Sequence, residues 1–509
     1  MSPDGWLRLN PKMLAIAPAQ EVVKFVPLLV VAALAGGREN RGLVLLAAVG
    51  AVVGVGVLRW LTTRYRVTPE RMELRSGLLF RQHHSVPRDR IRTVDVTAKL
   101  LHRAFGLGVL RIGTGRHERG REDELVLDAV SSVEAERLRV ALLDRTAAPR
   151  PASGTAALPA DAPAAGQLDP AAFQPVPAWR PGGAAGTELA RLSWAWLRFA
   201  PLTVLAVASV GALLGGVWQL LEQAGVDVTD VGAIEGAVGW LRARPVVAAV
   251  GSVAAFLLVA GVLGALARYA EAWWGFRLSR QPDGTLLVSR GLLTRRSVSL
   301  EERRLRGVEV EEPLLLRAGR GARLNALATG SGSGDRSALL PPAPLAEVNR
   351  VAAAVLATAG TAAPPGQRLR LRRHPRAALR RRMIRAVAPA AAAVLGLAVA
   401  ARAQALPYWP AVAATALVPL AVLLGLDRYR NLGHRLTGEH LVIRSGSLVR
   451  QTVILGRSGI IGWRVSRSVF QRAAGLATAT AVTAAGAGGY QVLDCDLATA
   501  AELVAANRG

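Results

Sequence analysis

The chain has one cysteine, Cys495, which excludes an intramolecular disulfide and any multi-cysteine zinc or iron–sulfur site. Lysine occurs only at Lys12, Lys24 and Lys99, so the excess of 63 Lys+Arg over 36 Asp+Glu, a formal +27, is an excess of arginine. There is no G-x-x-x-x-G-K-[ST] loop to cradle phosphates, no H-E-x-x-H and no G-x-S-x-G elbow, so no familiar catalytic signature is present. None of the long apolar stretches carries Asp or Glu near its middle, which removes the usual mark of a proton or ion pathway and disfavours a secondary transporter. What is abundant is apolar. Over 509 residues, 51% are hydrophobic and 19% charged, with mean hydropathy +0.30, too apolar for a disordered chain and unusually so for a soluble one.

A spanning helix needs about 20 mostly apolar residues. Six stretches meet that test: Val22 to Gly36, Gly42 to Leu61, Trp194 to Leu221, Pro245 to Ala270, Ile384 to Ala401 and Leu406 to Leu426. They pair as three helical hairpins, with Tyr408 and Trp409 as interfacial anchors at the last joint. Basic residues crowd the open ends: Arg8 and Lys12 with Arg59, Arg64 and Arg66; Arg191 and Arg198 with Arg268 and Arg277; and nine arginines from Arg368 to Arg385 with Arg428, Arg430 and Arg435. The positive-inside rule then places both termini and all large polar segments in the cytoplasm of a multi-pass cell-membrane protein. Topology and codon usage account for this charge without nucleic acid, and a basic run beside a span is also drawn to anionic lipid by about 1 kcal/mol per charge. Pro11, Gln20, Glu21 and Lys24 interrupt any signal-peptide core, so the N-terminus is expected to stay, with Leu7 to Ala19 as a short interfacial helix.

Each hairpin is followed by a polar segment of the same grammar. Arg75-Ser76-Gly77-Leu78-Leu79-Phe80-Arg81 aligns with Ser289-Arg290-Gly291-Leu292-Leu293-Thr294-Arg295 and with Arg444-Ser445-Gly446-Ser447-Leu448-Val449-Arg450. The ungapped register continues through Ile91/Leu305/Ile460, Val94/Val308/Trp463, Val96/Val310/Val465 and Arg103/Arg317/Arg472. Alternating apolar residues predict strands, and Gly77, Gly291 and Gly446 are the expected tight turns between them. Each unit closes with an amphipathic helix: Val133 to Leu143, Leu345 to Leu356, and Leu497 to Ala506 after Asp496.

The stretch Tyr65-Arg66-Val67-Thr68, Leu74-Arg75-Ser76-Gly77-Leu78-Leu79, Val86-Pro87-Arg88-Asp89-Arg90-Ile91 and Phe105-Gly106-Leu107-Gly108 resembles the bacterial pleckstrin-homology-like membrane-flanked domain family, particularly its multi-copy YdbT-like members. The resemblance covers the chain except its linkers. It implies that each unit is a cytosolic PH-like β-barrel capped by its C-terminal helix, that the protein binds or scaffolds rather than catalyses, and that it serves envelope assembly or protection. The second and third copies depart from the pattern at Glu301-Glu302-Arg303-Arg304-Leu305 and Gly456-Arg457-Ser458-Gly459-Ile460, so the first is the most typical.

The expected organisation is a hairpin over 1–61 with its interfacial N-terminus, module 1 over 62–145, an Ala/Pro/Gly linker over 146–190, a hairpin over 191–271, module 2 over 272–357, a linker and basic run over 358–383, a hairpin over 384–427 and module 3 over 428–509. The fold class is thus membrane α plus α+β, with six spans. Adjacent His83 and His84 on a strand point to opposite faces and read as surface residues; Asp89 reads as a salt-bridged turn residue, Cys495 as a packed one, and Gly330 to Asp335 as a strand connection rather than an anion nest. No catalytic residue, metal or cofactor is expected. The binding candidates are the recurrent arginines Arg81, Arg295 and Arg450 with Arg103, Arg317 and Arg472, since a guanidinium can fork two hydrogen bonds to a phosphate or carboxylate; the competing reading is a salt bridge within the module. The partners these residues suggest are the membrane itself, an anionic lipid or a smaller single-module PH-like membrane protein, with no nucleic acid. Two other functions compete: a lipid-handling or small-molecule transporter gated by the modules, and a membrane-tethered nucleic-acid binder.

Overall fold

The computed structural model describes residues 6–13, 61–68, 70–76, 82–88, 91, 93–118, 121–143, 186–203, 245–329, 337–358, 371–403 and 407–506, with isolated positions 50, 54, 57, 239 and 243. The chain divides into two compact units: Met1–Thr187 with Gln281–Thr285 and Leu293–Ser299, and Glu188–Arg280 with Leu286–Leu292 and Leu300–Gly509.

In the first unit, β1 (Leu7–Arg8), β2 (Arg64–Val67), β3 (Arg71–Ser76) and β4 (Gln82–Pro87) form one antiparallel sheet in that order. A second sheet contains β5 (Thr93–Ala98), β6 (Leu107–Glu118) and β7 (Arg121–Ser131), with α1 (Leu100–Ala104) between β5 and β6. The closing helix α2 (Ser132–Leu143) starts where the sequence predicts, with Ser131 Oγ accepting from the Glu134 N–H at 3.2 Å. Met72, Val94, Leu110, Ile112 and Leu127 pack with Leu138 of α2 in one core. Leu7 and Arg8 are not in an interfacial helix. They form β1, registered on Tyr65 and Arg64, because the following Leu9 is buried in this core and an extended chain carries it there.

The second unit opens within β8 (Thr187–Arg191), which runs from the end of the expected linker into the first residue of the expected hairpin, then a 3-10 helix at Trp194–Phe199. Trp196 and Phe199 are buried in the second module's core, so the residues expected to begin the third span belong instead to that module. After α3 (Val246–Trp273) come β9 (Arg277–Arg280), β10 (Thr285–Arg290), β11 (Arg295–Glu301), β12 (Leu305–Pro313), α4 (Leu314–Ala318), β13 (Gly321–Ala328), β14 (Ala338–Pro344) and α5 (Leu345–Thr358). The third hairpin supplies α6 (Arg376–Arg402), α7 (Trp409–Thr415) and α8 (Leu417–Arg430). Module 3 follows as β15 (Gly433–Leu436), β16 (His440–Ser445), β17 (Val449–Gly456), β18 (Ile460–Ser466), α9 (Val469–Ala473), β19 (Leu476–Thr483), β20 (Gly489–Asp496) and α10 (Leu497–Ala505).

Among the described residues three helices are long and apolar enough to cross a membrane: Ala255–Trp273, Arg376–Arg402 and Trp409–Arg430. They fall on the expected fourth, fifth and sixth spans. The first two spans and most of the third lie outside the described residues, as do Gly77, Arg81, Asp89 and the Gly330 to Asp335 segment. Gly291 and Gly446 are the turns predicted, at φ +108° and +100°.

Among the described residues the strand registers join neighbouring copies: a strand that opens one sheet pairs with the copy beside it. Within the first unit, Arg295–Ser299 of β11 runs antiparallel to β5, with Ser299 opposite Val94, Ser297 opposite Val96 and Arg295 opposite Ala98. Within the second unit, β17 runs antiparallel to β12, with Ile454 opposite Val308, Thr452 opposite Val310 and Arg450 opposite Glu312. Under the repeat alignment these two registers are the same. The second unit's joined sheet therefore runs β14-β13-β12-β17-β16-β15, and β18-β19-β20 stand apart.

Gly307 is what lets β17 approach β12: a Cβ there would lie 2.1 Å from the Ile454 carbonyl oxygen. Its repeat equivalent Gly462, on β18, would meet nothing within 4 Å. Gly307→Ala is therefore expected to lose about 1–3 kcal/mol, because backbone must move, and Gly462→Ala to stay within about 0.5 kcal/mol. Unfolding of the full chain in detergent micelles checks this, and equal losses at the two glycines would refute the close approach.

Candidate functional site

The recurrent arginines do not share one fate. Arg450 projects from β17 and forks to Glu312, Nε to Oε2 at 2.7 Å and Nη2 to Oε1 at 2.5 Å. The Glu312 side chain is only 4% exposed. This is a salt bridge, but not the one within a module that the competing reading expected: it joins module 3 to module 2. Arg317, on α4, donates to Asp427 of the spanning helix α8 at 3.0 Å, and Asp427 also accepts from Asn431 and Ser447. Arg295 is half-buried on β11, while Arg103 on α1 and Arg472 on α9 are exposed. His83 and His84 are exposed on β4, and Cys495 is buried, its thiol pushed up by burial and donating to the Ala477 carbonyl at 3.4 Å.

Two arginines of the basic run before the third hairpin have a use that charge counting did not reveal. Arg382 of α6 donates twice to Asp494 Oδ2, at 3.2 and 2.9 Å, and Arg381 reaches Asp494 Oδ1. Gln471 of α9 donates to the same carboxylate at 2.9 Å. Asp494 is 1% exposed and sits at φ +56° on β20, a left-handed position that Asp tolerates better than most residues. Beside it, His374 Nδ1 lies 3.3 Å from the Asp494 carbonyl oxygen, and His374 Nε2 lies 3.2 Å from His434 Nδ1.

Burial lowers both histidines, His434 to about 4, with His374 and Arg372 adding to the effect and Asp496 and Glu502 opposing it. A base whose folded pKa lies below its unfolded 6.5 leaves the folded state with fewer protons than the unfolded one between those values. The stability it contributes is complete above about 6.5 and disappears as pH falls towards 4. The thermal midpoint in detergent is thus expected to drop as the pH falls below about 6.5, and His434→Gln to flatten that slope.

A cavity of about 630 Å³ lies between the end of α3, the β12–β13 face and β20. Arg268, Tyr269 and Trp273 line it from the spanning helix, Glu309 and Glu311 from β12, and Tyr490 from β20. The two glutamates, two residues apart on one strand, face the same side. Burial first, then the neighbouring Glu311, raises Glu309 to about 7. Its sign is opposite to that of the histidines: the folded state binds more protons between about 4.5 and 7, so stability falls as pH rises through that window. Glu309→Gln should therefore leave the acid sensitivity of the histidine pair standing alone.

A family model described as Bacterial PH domain matches residues 23–146, 226–359 and 386–506. The chain belongs to the bacterial PH domain family. Each match begins upstream of its module, so the repeating unit of the family takes in apolar sequence as well as strands. The chain is also similar to the transmembrane protein YdbT of Bacillus subtilis (strain 168), 22% identical over 432 residues, covering 83% of this chain and 79% of that protein. No solved structure matches it. This is a membrane protein carrying three bacterial PH domains.

Glu312 and Asp494, the acids on which the joints turn, were not singled out in the sequence. The available signal was their scarcity: with 36 acids against 63 basic residues, each carboxylate beside an apolar strand is a candidate anchor.

Proposed function

We propose that the chain is a non-enzymatic scaffold at the cytosolic face of the bacterial inner membrane, its spans anchoring three modules that present strand edges and basic residues to partners or lipids in envelope assembly or protection. The observation that most supports this reading is the repeated joint, in which β11 meets β5 and β17 meets β12 in one register. A chain that joins its own modules by strand pairing holds them for display, and the spans, without central carboxylates, serve as anchors rather than pathway. Cross-linking in native membranes followed by identification of co-purified proteins and lipids tests it, comparing wild type with Gly307→Ala. A set of partners lost when the joint is disturbed, with insertion intact, is the expected result; an unchanged set would remove the joined array from the function.

A second reading, lipid or small-molecule handling, is favoured by the cavity at the end of α3. Native mass spectrometry of the intact chain, with and without Arg268→Ala, distinguishes a resident amphiphile there from none.

A further inference from the structure

The repeated joint leaves one acceptor strand uncovered. β5 is covered by β11 and β12 by β17, whereas β18, their equivalent in module 3, forms the edge of the sheet β18-β19-β20 among the described residues. Its register is fixed by the repeat: Trp463, Val465 and Arg467 stand where Val308, Val310 and Glu312 stand in the covered copy. Val310 is 4% exposed beneath β17, and Val465 is 45% exposed. Gly307, whose missing side chain admits the Ile454 carbonyl, is matched by Gly462, whose corresponding space is empty. The edge thus keeps both the apolar residue and the glycine that a docking strand needs.

We infer that β18 is a docking edge for an antiparallel strand of a partner protein carrying a carboxylate at the position that Arg450 holds in β17. The choice of occupant follows from charge. In the covered joint the incoming strand brings Arg450 and the acceptor supplies Glu312 at bidentate distance. In module 3 the polarity is reversed: Arg467, just past the end of β18, holds the acceptor position with its Nε donating to the Leu476 carbonyl at 3.1 Å, and no acid lies between Ile460 and Ser468. Arg472, exposed on α9, is the equivalent of Arg317, which in module 2 holds Asp427 of the following hairpin. An arriving strand thus meets an arginine rather than an acid at the position of Glu312, while Arg464 lies on the opposite face of the strand. A second copy of this chain would offer β4 as the equivalent strand and set Arg81 against Arg467, a like-charge pair directly across a ladder, which is destabilising. Backbone pairing supplies the affinity in such strand addition, and the cross-strand charge selects the partner.

This inference rests on the scaffold reading, and the experiment separates the two. The probes are fluorescent peptides with the sequence of residues 446–456, native or with Arg450→Glu, and a peptide of residues 79–88 representing a second copy. Each is titrated by anisotropy against the full chain in detergent micelles. The Arg450→Glu peptide is expected to bind about tenfold more tightly than the native one, to lose binding in the Gly462→Val protein, whose added side chain fills the approach, and to lose its advantage in the Arg467→Glu protein. Thermal midpoints equal to wild type establish that these variants fold; the charge-reversed protein keeps the edge testable if Gly462→Val does not. Tightest binding by the 79–88 peptide would make the occupant a second copy and overturn the acidic partner. No binding by any peptide up to about 1 mM, or binding indifferent to charge reversal, would overturn the docking edge. The internal β12–β17 joint, followed by hydrogen exchange in the same samples, reports on the scaffold reading separately.

Discussion

Replacing Arg450 with alanine is expected to cost about 3 kcal/mol, whereas replacing both Arg450 and Glu312 with methionine should cost far less. The asymmetry comes from desolvation. Glu312 is 3% exposed, at the seam between β12 and β17, and its carboxylate is satisfied there by the two guanidinium N–H groups of Arg450. Removing only the arginine strands a buried charge, which costs about 3–5 kcal/mol in comparable cases. The lower end applies because the Arg450 side chain is 22% exposed and water can follow the deletion. The double substitution removes the stranded charge along with the pair and puts two flexible apolar side chains across a covered seam. Hydrogen exchange of β12 and β17 amides in the full chain, in detergent micelles, is the measurement. Equal deprotection in the single and double variants would mean that the pair itself, not the orphaned carboxylate, holds the seam.

The seam also shows where sequence reading reached and where it stopped. Local alternation and glycine spacing identified β16, the Gly446 turn and β17 as a hairpin, and the three-fold alignment placed Val308 and Val310 on a strand. Both are short-range properties that each copy carries in its own residues. That β17 leaves its own module to pair with β12 depends on the space above Gly307 and on Glu312, residues about 140 positions away in the chain, and no periodicity encodes such a partnership. Alignment contained a trace of it nonetheless: a glycine at 307 and 462 but Thr93 in the first copy, and an acid only at 312. Hydropathy likewise read Trp194 to Leu221 as one apolar run, because a scale cannot separate Trp196 and Phe199 packed against a sheet from side chains facing lipid. Of the recurrent arginines, the alignment found the positions, but it could not say that Arg450 and Arg317 would be consumed by contacts inside the chain while Arg472 stays exposed.

Asp494→Ala is expected to be the most damaging single substitution among the described residues, with a loss of about 3–5 kcal/mol. Two separate effects contribute. The carboxylate is 1% exposed and serves Arg381, Arg382 and Gln471 together, so its removal leaves Arg382, itself buried, without its counter-charge. The backbone at φ +56° is one that alanine enters at a cost of about 1–2 kcal/mol. Three variants resolve them. Asp494→Gly relieves the backbone but restores no acceptor, so it should recover only the smaller part of the loss; Asp494→Asn keeps the left-handed conformation and one acceptor oxygen, and should fall between glycine and wild type. The readout that bears on function is hydrogen exchange at β20 and at the first turns of α6, because Asp494 is the contact through which the module grips the base of its own spanning helix. Loss of protection in both elements together would show that the grip transmits between membrane and module. Loss confined to β20, with α6 unchanged, would mean that the module is held to its hairpin by Tyr429, which donates to the His374 carbonyl at 2.9 Å, and by the Arg372–His434 bridge instead.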